Sequence, residues 1–198
     1  MPLDLSAPSI EVAPRLLGAV LHCRGVSVRL TEVEAYLGEL DPGSHAFRGR
    51  TARNAVMYGP PGHLYTYFTY GMHTCANVVC SPEGEASAVL LRAGEVTRGN
   101  ELARERRTTS KRDADLASGP ARLCVALGIT LGDDGAGLAT GEFRLEAAPH
   151  PAAAVATGPR TGVAGDGGSD RYPWRFWIPG DPTVSPYRAS VKRAGRTR

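Results

Sequence analysis

Apolar and polar positions alternate most clearly in two stretches, residues 60–77 (PPGHLYTYFTYGMHTCAN) and residues 26–36 (VSVRLTEVEAY). In the first, Tyr65 and Tyr67 fall on one face of a strand and Leu64, Phe68 and Tyr70 on the other, because successive strand side chains point to opposite sides. Gly71 follows at once and tolerates the positive φ of a tight turn. Tyr70, Gly71 and Met72 are therefore expected at the tip of a hairpin that returns through Cys75 to Val79. An aromatic ring at such a tip either folds back onto its own sheet or inserts into a partner, as apolar wedges do between base steps. In the second stretch Val26, Val28 and Leu30 share a face, and the same parity continues into Glu32 and Glu34. An apolar face that runs into carboxylates has two readings. Either the strand emerges into solvent, or at least one glutamate is a partly desolvated acid or base.

Elsewhere the pattern is shorter in range. Residues 1–9 read as a flexible arm, and a short helix is expected from Pro14, since proline is tolerated in a first turn. Residues 86–93 (ASAVLLRA) form a continuous apolar run, read as a buried central strand ending at Arg92, a charge that needs a partner or a phosphate. A helix with a basic end is expected over 95–107. The best helical segment is 116–128 (LASGPARLCVALG), with Ser118 or Gly119 as N-cap, Pro120 in the first turn and Gly128 as the stop. Its N–H groups, with Arg122 nearby, suit a phosphate. Strands are expected near 143–147 and 175–178, and a flexible loop at 163–170. Residues 10–188 read as one domain, followed by a basic disordered tail at 189–198.

Composition narrows the class. With 198 residues, 24 Gly and 15 Pro, the chain suits one turn-rich domain, β-rich α/β rather than a helical bundle. The net charge of +3 demands no polyanionic partner, yet residues 98–112 and 188–198 are both rich in Arg and Lys, which makes local basic patches the relevant quantity. Cys23, Cys75, Cys80 and Cys124 show no Cys-x-x-Cys pair and read as reduced core thiols, so no metal is expected. The N-terminus lacks a signal-peptide pattern and no run is long enough to span a bilayer; a soluble intracellular protein is expected.

Chemistry enters with the loop at 38–53, which carries His45, Arg48, Arg50 and Arg53 and is longer than most structureless connections. Phosphate-loop, dinucleotide, zinc-protease and serine-hydrolase motifs are missing. What remains is a carboxylate, a histidine, tyrosines and arginines, a set that suits stacking on a base beside phosphates. Two classes fit: a nucleic-acid-binding module without chemistry, or an enzyme acting on a base.

The blocks EAYLG (34–38), DPGSHA (41–46), GRTARN (49–54), GHLYTYFTYGMHTCAN (62–77), AVLLRA (88–93), SGPARLCVALGI (118–129), PRTGV (159–163) and PWRFWIPG (173–180) resemble the alkyladenine (3-methyladenine) DNA glycosylase family. The likeness implies a single mixed α/β domain around a curved antiparallel β-sheet with a protruding hairpin and flanking helices. It implies that Glu34 activates a water, that Tyr36, His45 and Tyr67 hold a flipped base, and that Asn77 excludes guanine's amino group. Tyr70 would fill the vacated stack with Met72 beside it, and Arg92 would support the DNA backbone. Arg122, Arg50 and Arg53 are further phosphate candidates. Such an enzyme needs no cofactor, and its partner is double-stranded DNA containing damaged purines. A monomeric, cytoplasmic bacterial enzyme working at the nucleoid without membrane contact is expected. A damage-binding protein without turnover and a nucleoside hydrolase are the alternatives. Val33 stands where the family commonly has Thr, and Ala52 where it commonly has Pro.

Overall fold

The computed structural model describes residues 3–69 and 71–190. In chain order the described elements are α1 (Ser9–Leu16), β1 (Val20–Cys23), β2 (Val26–Tyr36), β3 (Leu64–Thr69), β4 (His73–Val79), β5 (Ala88–Arg98), α2 (Asn100–Arg106), β6 (Ala117–Ser118), α3 (Pro120–Leu127), β7 (Phe143–Glu146), β8 (Ala156–Gly158) and β9 (Arg175–Trp177), with short 3₁₀ turns between them. The strands form one antiparallel sheet in the order β3-β4-β5-β2-β1-β7, with β9 bonded to β2 and β8, and β6 to β5. This is the expected mixed α/β fold.

β2 organises the sheet. One edge pairs with β5 along its length; the other pairs first with β1 and then with β9. Leu30 opposes Gly94 and Glu32 opposes Ala93, so Thr31 is an extra residue on β2; Val33 then opposes Leu91, so Arg92 is an extra residue on β5. These two bulges compensate in register, and each reverses which face the following side chains take. The parity read from the sequence is therefore broken in the middle of the strand. Val26, Val28 and Leu30 enter the core, and beyond the bulge it is Val33 and Ala35 that do so, while Glu32 and Glu34 are turned to the other face. The carboxylates do not follow the valines out of the core. They occupy a second buried layer.

Helices α1 and α3 cover the valine face, α1 through Val12, Ala13 and Leu16, and α3 through Leu123, Cys124, Ala126 and Leu127. α3 begins at Pro120 after Gly119 and stops at Gly128, whose φ of +74° closes the last turn. α1 starts before Pro14 rather than at it. Ser9 anchors its first turn, its N–H donating to Ser87 Oγ and its hydroxyl to the Tyr36 carbonyl, so the proline sits inside the helix. Residues 3–8 are docked rather than loose: the Ser81 N–H is shared by the Leu5 and Ala7 carbonyls, and Leu3, Leu5 and Ala7 pack on the core. The helix expected over 95–107 is shortened to α2 because Glu95, Val96 and Arg98 are paired with β2. Arg92 thus lies within β5, not at its end.

The opposite face of the sheet is covered by residues 38–58 and by a later part of the chain that reaches it through Arg160, Thr161 and Ser185. Ala46, Met57 and Tyr58 pack there on Tyr65, Val79 and Ala88 as a second, smaller core. β3 and β4 form the expected hairpin, with Tyr65 opposite Asn77, Tyr67 opposite Cys75 and Thr69 opposite His73. Gly71 has φ +68° and Met72 is 68% exposed at the turn. The reading of Tyr70 as a wedge concerns a residue outside those described, as does most of the tail, residues 191–198.

Candidate active site

Directly opposed residues of neighbouring strands share a face, so the pairing can be followed across the sheet. Tyr65 opposes Asn77, Asn77 opposes Leu90, Leu90 opposes Glu34 and Glu34 opposes Arg175, which sets one row of side chains under the covering loops. Above that row lies a cavity of about 850 Å³. Its lining includes Tyr36, His45, Tyr65, Tyr67, Asn77 and Thr161. Four residues expected at the base pocket, Tyr36, His45, Tyr67 and Asn77, are thereby brought to one space.

Glu34 lies behind that lining and has no exposed surface. Its Oε1 accepts the Thr161 N–H at 2.7 Å, its Oε2 accepts the Tyr36 hydroxyl at 2.9 Å, and Arg92 Nη1 stands 3.4 Å from Oε1. A carboxylate oxygen has two lone pairs, so these contacts orient the group without saturating it. Tyr36 is half-buried. Desolvation, followed by the adjacent Glu34, pushes its phenol well above the usual value and keeps it a hydrogen-bond donor.

The rings are arranged edge to face. The His45 and Tyr67 centroids are 4.6 Å apart at 85°, and His45 Nδ1 lies 3.1 Å from the Tyr65 hydroxyl. Although His45 counts as surface-exposed, desolvation of its ring and then the charge of Arg53 lower its pKa from 6.5, so it is neutral at pH 7. Burial raises Tyr65 to about 12 and drives Tyr67 higher still, leaving both hydroxyls protonated. The cavity wall is thus polarisable and uncharged around these rings. Asn77 is buried, and its amide donates to the Tyr65 carbonyl at 3.0 Å, which fixes its orientation.

Arg92 departs from expectation. It is 6% exposed, its guanidinium meets Glu32 Oε1 at 2.9 Å, Ser185 Oγ at 3.2 Å and Glu34 as above, and it lines the cavity beside Glu34 rather than the outer surface. Glu32 is the hub of this cluster. Besides Arg92 it accepts Arg175 Nε at 2.6 Å and the Ser185 N–H at 2.7 Å. Burial alone would raise its pKa, but Arg92, the Ser185 N–H and Arg175 together hold it below the ordinary value.

A second buried pair holds the loop that carries His45. Arg160 Nη1 and Nη2 meet the two oxygens of Asp41 at 2.5 and 2.6 Å, both side chains being fully buried. Arg160 also donates to the Ala35 and Gly167 carbonyls, and its guanidinium lies 4.5 Å from the centroid of the Tyr36 ring. The loop at 38–53 is therefore pinned, and so is the Gly-rich segment around 167, which had read as flexible. Neither ion pair is visible to local pattern, because Asp41 and Arg160 are 119 positions apart and Glu32 and Arg175 are 143 apart.

Arg48, Arg50, Arg53 and Arg122 are exposed, together with Phe47 and Phe68, and none of them is a cavity-lining residue, whereas the exposed Arg188 is. Arg53 Nη2 reaches the Phe68 carbonyl at 3.5 Å, linking the loop to the hairpin, and Arg50 lies over the Tyr58 ring. Arg122 projects from the first turn of α3, whose Pro120 is part of the cavity wall. Met72 is not among the cavity-lining residues; it stays at the hairpin turn.

The cavity is thus lined by aromatic rings over a buried carboxylate, with Arg92 and Arg188 among its lining residues. Residues 4–182 match the model of a family described as methylpurine-DNA glycosylase. A protein of Leifsonia xyli subsp. xyli is 62% identical over 191 residues, covering 92% of this chain and 89% of the relative. One of Streptomyces avermitilis is 57% identical over 198 residues, 96% of this chain and 92% of the relative, and one of Nocardia farcinica is 55% identical over 191 residues, 92% and 89%. All three are provisionally named 3-methyladenine DNA glycosylase. The chain belongs to the methylpurine-DNA glycosylase family.

Proposed function

We propose that this chain is a monofunctional DNA-repair glycosylase that takes a damaged purine out of the duplex into the ring-lined cavity and hydrolyses its N-glycosidic bond with a water activated by Glu34. The observation that carries this reading is Glu34 itself: a carboxylate without exposed surface, set by Thr161 and Tyr36 at the base of a cavity walled by uncharged rings.

The chemistry asks little more of the protein. Extruding a base costs a few kcal/mol, least for a damaged one, and the rings of Tyr36, His45 and Tyr67 return part of that cost by stacking and edge contacts. The water oxygen forms the bond to C1′ as the bond from C1′ to the purine nitrogen breaks. The electron pair leaves with the base and the water's proton passes to Glu34. An alkylated purine bearing positive charge leaves readily, and the carboxylate also faces the oxocarbenium-like sugar, whose charge it offsets. Asn77, held by its bond to the Tyr65 carbonyl, is the proposed barrier to guanine's exocyclic amino group, the feature that distinguishes guanine from adenine in the minor groove. Among the described residues no lysine lines the cavity, which favours direct water attack over a Schiff base. Insertion of Tyr70 into the emptied stack rests on the sequence resemblance.

The test is release of free base from duplexes that each carry one candidate lesion. Release of 3-methyladenine from methylated duplex DNA is expected. Tight duplex binding without release, or hydrolysis of free nucleosides without affinity for DNA, would replace this reading with one of the alternatives.

A further inference from the structure

On the reading that an extruded purine occupies the ring-lined cavity, we propose that Arg188 receives a backbone phosphate of the extruded nucleotide where that cavity opens to solvent. Two arginines are among the lining residues, Arg92 and Arg188. Arg92 is buried, and its guanidinium is taken up by Glu32, Ser185 and Glu34. Arg188 is exposed, and among the described residues its side chain has no carboxylate within ion-pair distance. An exposed side chain that also lines the cavity stands at its opening. The exposed arginines of the 38–53 loop and of α3 do not share that position.

The chain that carries Arg188 is in neither helix nor strand, yet it is fixed at several points. Ser185 donates its N–H to Glu32 Oε2 at 2.7 Å, its hydroxyl accepts Arg92 Nη2 at 3.2 Å, and its carbonyl accepts Arg175 Nη2 at 3.0 Å. Thr183 Oγ1 lies 2.8 Å from Thr31 Oγ1. The Arg188 carbonyl accepts the Gly162 N–H at 2.9 Å, and Gly162 follows Thr161, whose own N–H holds Glu34 Oε1. The backbone of Arg188 is thereby tied to the residue next to the one that orients the proposed general base. Glu32, a buried carboxylate that takes no part in the water attack, holds this segment in place. Extrusion brings the base into the cavity, but the flanking phosphates cannot follow, because an ionised group would lose its water against a wall of uncharged rings. They stay at the opening. A guanidinium there presents five N–H donors in a fixed fork that suits a phosphate, and a pinned backbone leaves less to order on binding.

This contact exists only while the nucleotide is extruded, which separates Arg188 from a solvated surface cation. The test uses the full chain and two duplexes of one sequence, one undamaged and one carrying 3-deaza-3-methyladenine, an uncharged isostere of the lesion that leaves poorly. Affinity is read by fluorescence anisotropy across a salt series. For Arg188→Ala the log–log slope on the isostere duplex should flatten by about 0.9, one phosphate's worth, while the slope on the undamaged duplex stays as in wild type. Affinity for the isostere duplex at physiological salt should fall by roughly three- to tenfold. Arg188→Lys should keep the wild-type slope, since the charge remains, and thermal stability should hold in both variants. An unchanged slope on the isostere duplex in Arg188→Ala would overturn the proposal. So would an equal change on both duplexes, which would make Arg188 a general surface cation, or a slope in Arg188→Lys as flat as in Arg188→Ala. A marked loss of stability in Arg188→Ala would assign the side chain to the fold instead. Release of 3-methyladenine from methylated duplex DNA by wild type, measured alongside, keeps the two levels apart. Release with an unchanged slope in Arg188→Ala dismisses Arg188 alone, whereas absence of release removes the glycosylase reading first.

Discussion

Replacing Asp41 by Asn leaves the size of the side chain almost unchanged and removes the charge that faces Arg160. In the native protein every N–H of the Arg160 guanidinium is engaged, by the Asp41 carboxylate and by the Ala35 and Gly167 carbonyls, and Asp41 in turn accepts the N–H groups of Gly43 at 2.8 Å and Leu37 at 3.2 Å. The Asn amide can keep one acceptor oxygen but turns an NH₂ toward a guanidinium, so a cation without exposed surface loses its counter-charge and meets a donor. Breaking one side of such a buried pair costs about 3–5 kcal/mol, a large part of the roughly 5–15 kcal/mol that stabilises a typical domain. Denaturant unfolding at pH 7 should report a loss in that range, carried by the midpoint and not the slope. A second variant, Asp41→Leu with Arg160→Met, should recover only the part due to the unpaired charge, because the Gly43 and Leu37 N–H groups and the Ala35 and Gly167 carbonyls lose their partners in it. A loss below about 1 kcal/mol in Asp41→Asn would refute the view that this pair pins the His45 loop over the cavity.

Other consequences concern charge. Because the folded pKa of Glu32 lies below its ordinary value of 4.5, its contribution to stability is present above that pH and lost as pH falls through the lowered value. Wild type should therefore destabilise more steeply below pH 4.5 than Glu32→Gln, and parallel acid limbs in a urea-midpoint series would contradict the assignment. Arg53 is exposed and its charge acts on His45, so Arg53→Ala should flatten the log–log salt dependence of duplex binding by about 0.9, one phosphate's worth, as read by fluorescence anisotropy; an unchanged slope would remove Arg53 from the interface.

Much of the site was legible in the chain because it is local. The alternation of residues 64–69 separated Leu64 from Tyr65 and Tyr67, and the structure keeps that separation, with Leu64 in the main core and both tyrosines at the cavity. Gly119, Pro120 and Gly128 marked the ends of α3 through backbone preferences that belong to those residues alone. The failures share a different cause. Strict alternation along β2 assumed an unbroken pleat, and the bulges at Thr31 and Arg92 are set by the pairing of two distant strands. That error hid the acid layer: Glu32 and Glu34 were legible as unusual, but not as partners of Arg92, Arg175 and Ser185. Arg92 read as a charge in need of a partner or a phosphate, and which of the two was hidden for the same reason. An arginine after an apolar run looks like a strand end when its counter-ion lies 60 residues away. Asp41 and Arg160 carry no periodic signal, and their meeting depends on how two loops cover the sheet.

The account rests on Glu34 as the group that accepts the water's proton. Glu34→Gln preserves size, keeps one oxygen to accept the Thr161 N–H and turns its NH₂ toward the Tyr36 hydroxyl, whose oxygen can accept it, so the direct measurement is single-turnover base release from methylated duplex DNA by this variant, with duplex affinity recorded on the same preparation. The expected result is unchanged affinity with release slowed by at least ~10²-fold, the usual contribution of a general base. Release at close to the wild-type rate by a variant that binds DNA normally would contradict it.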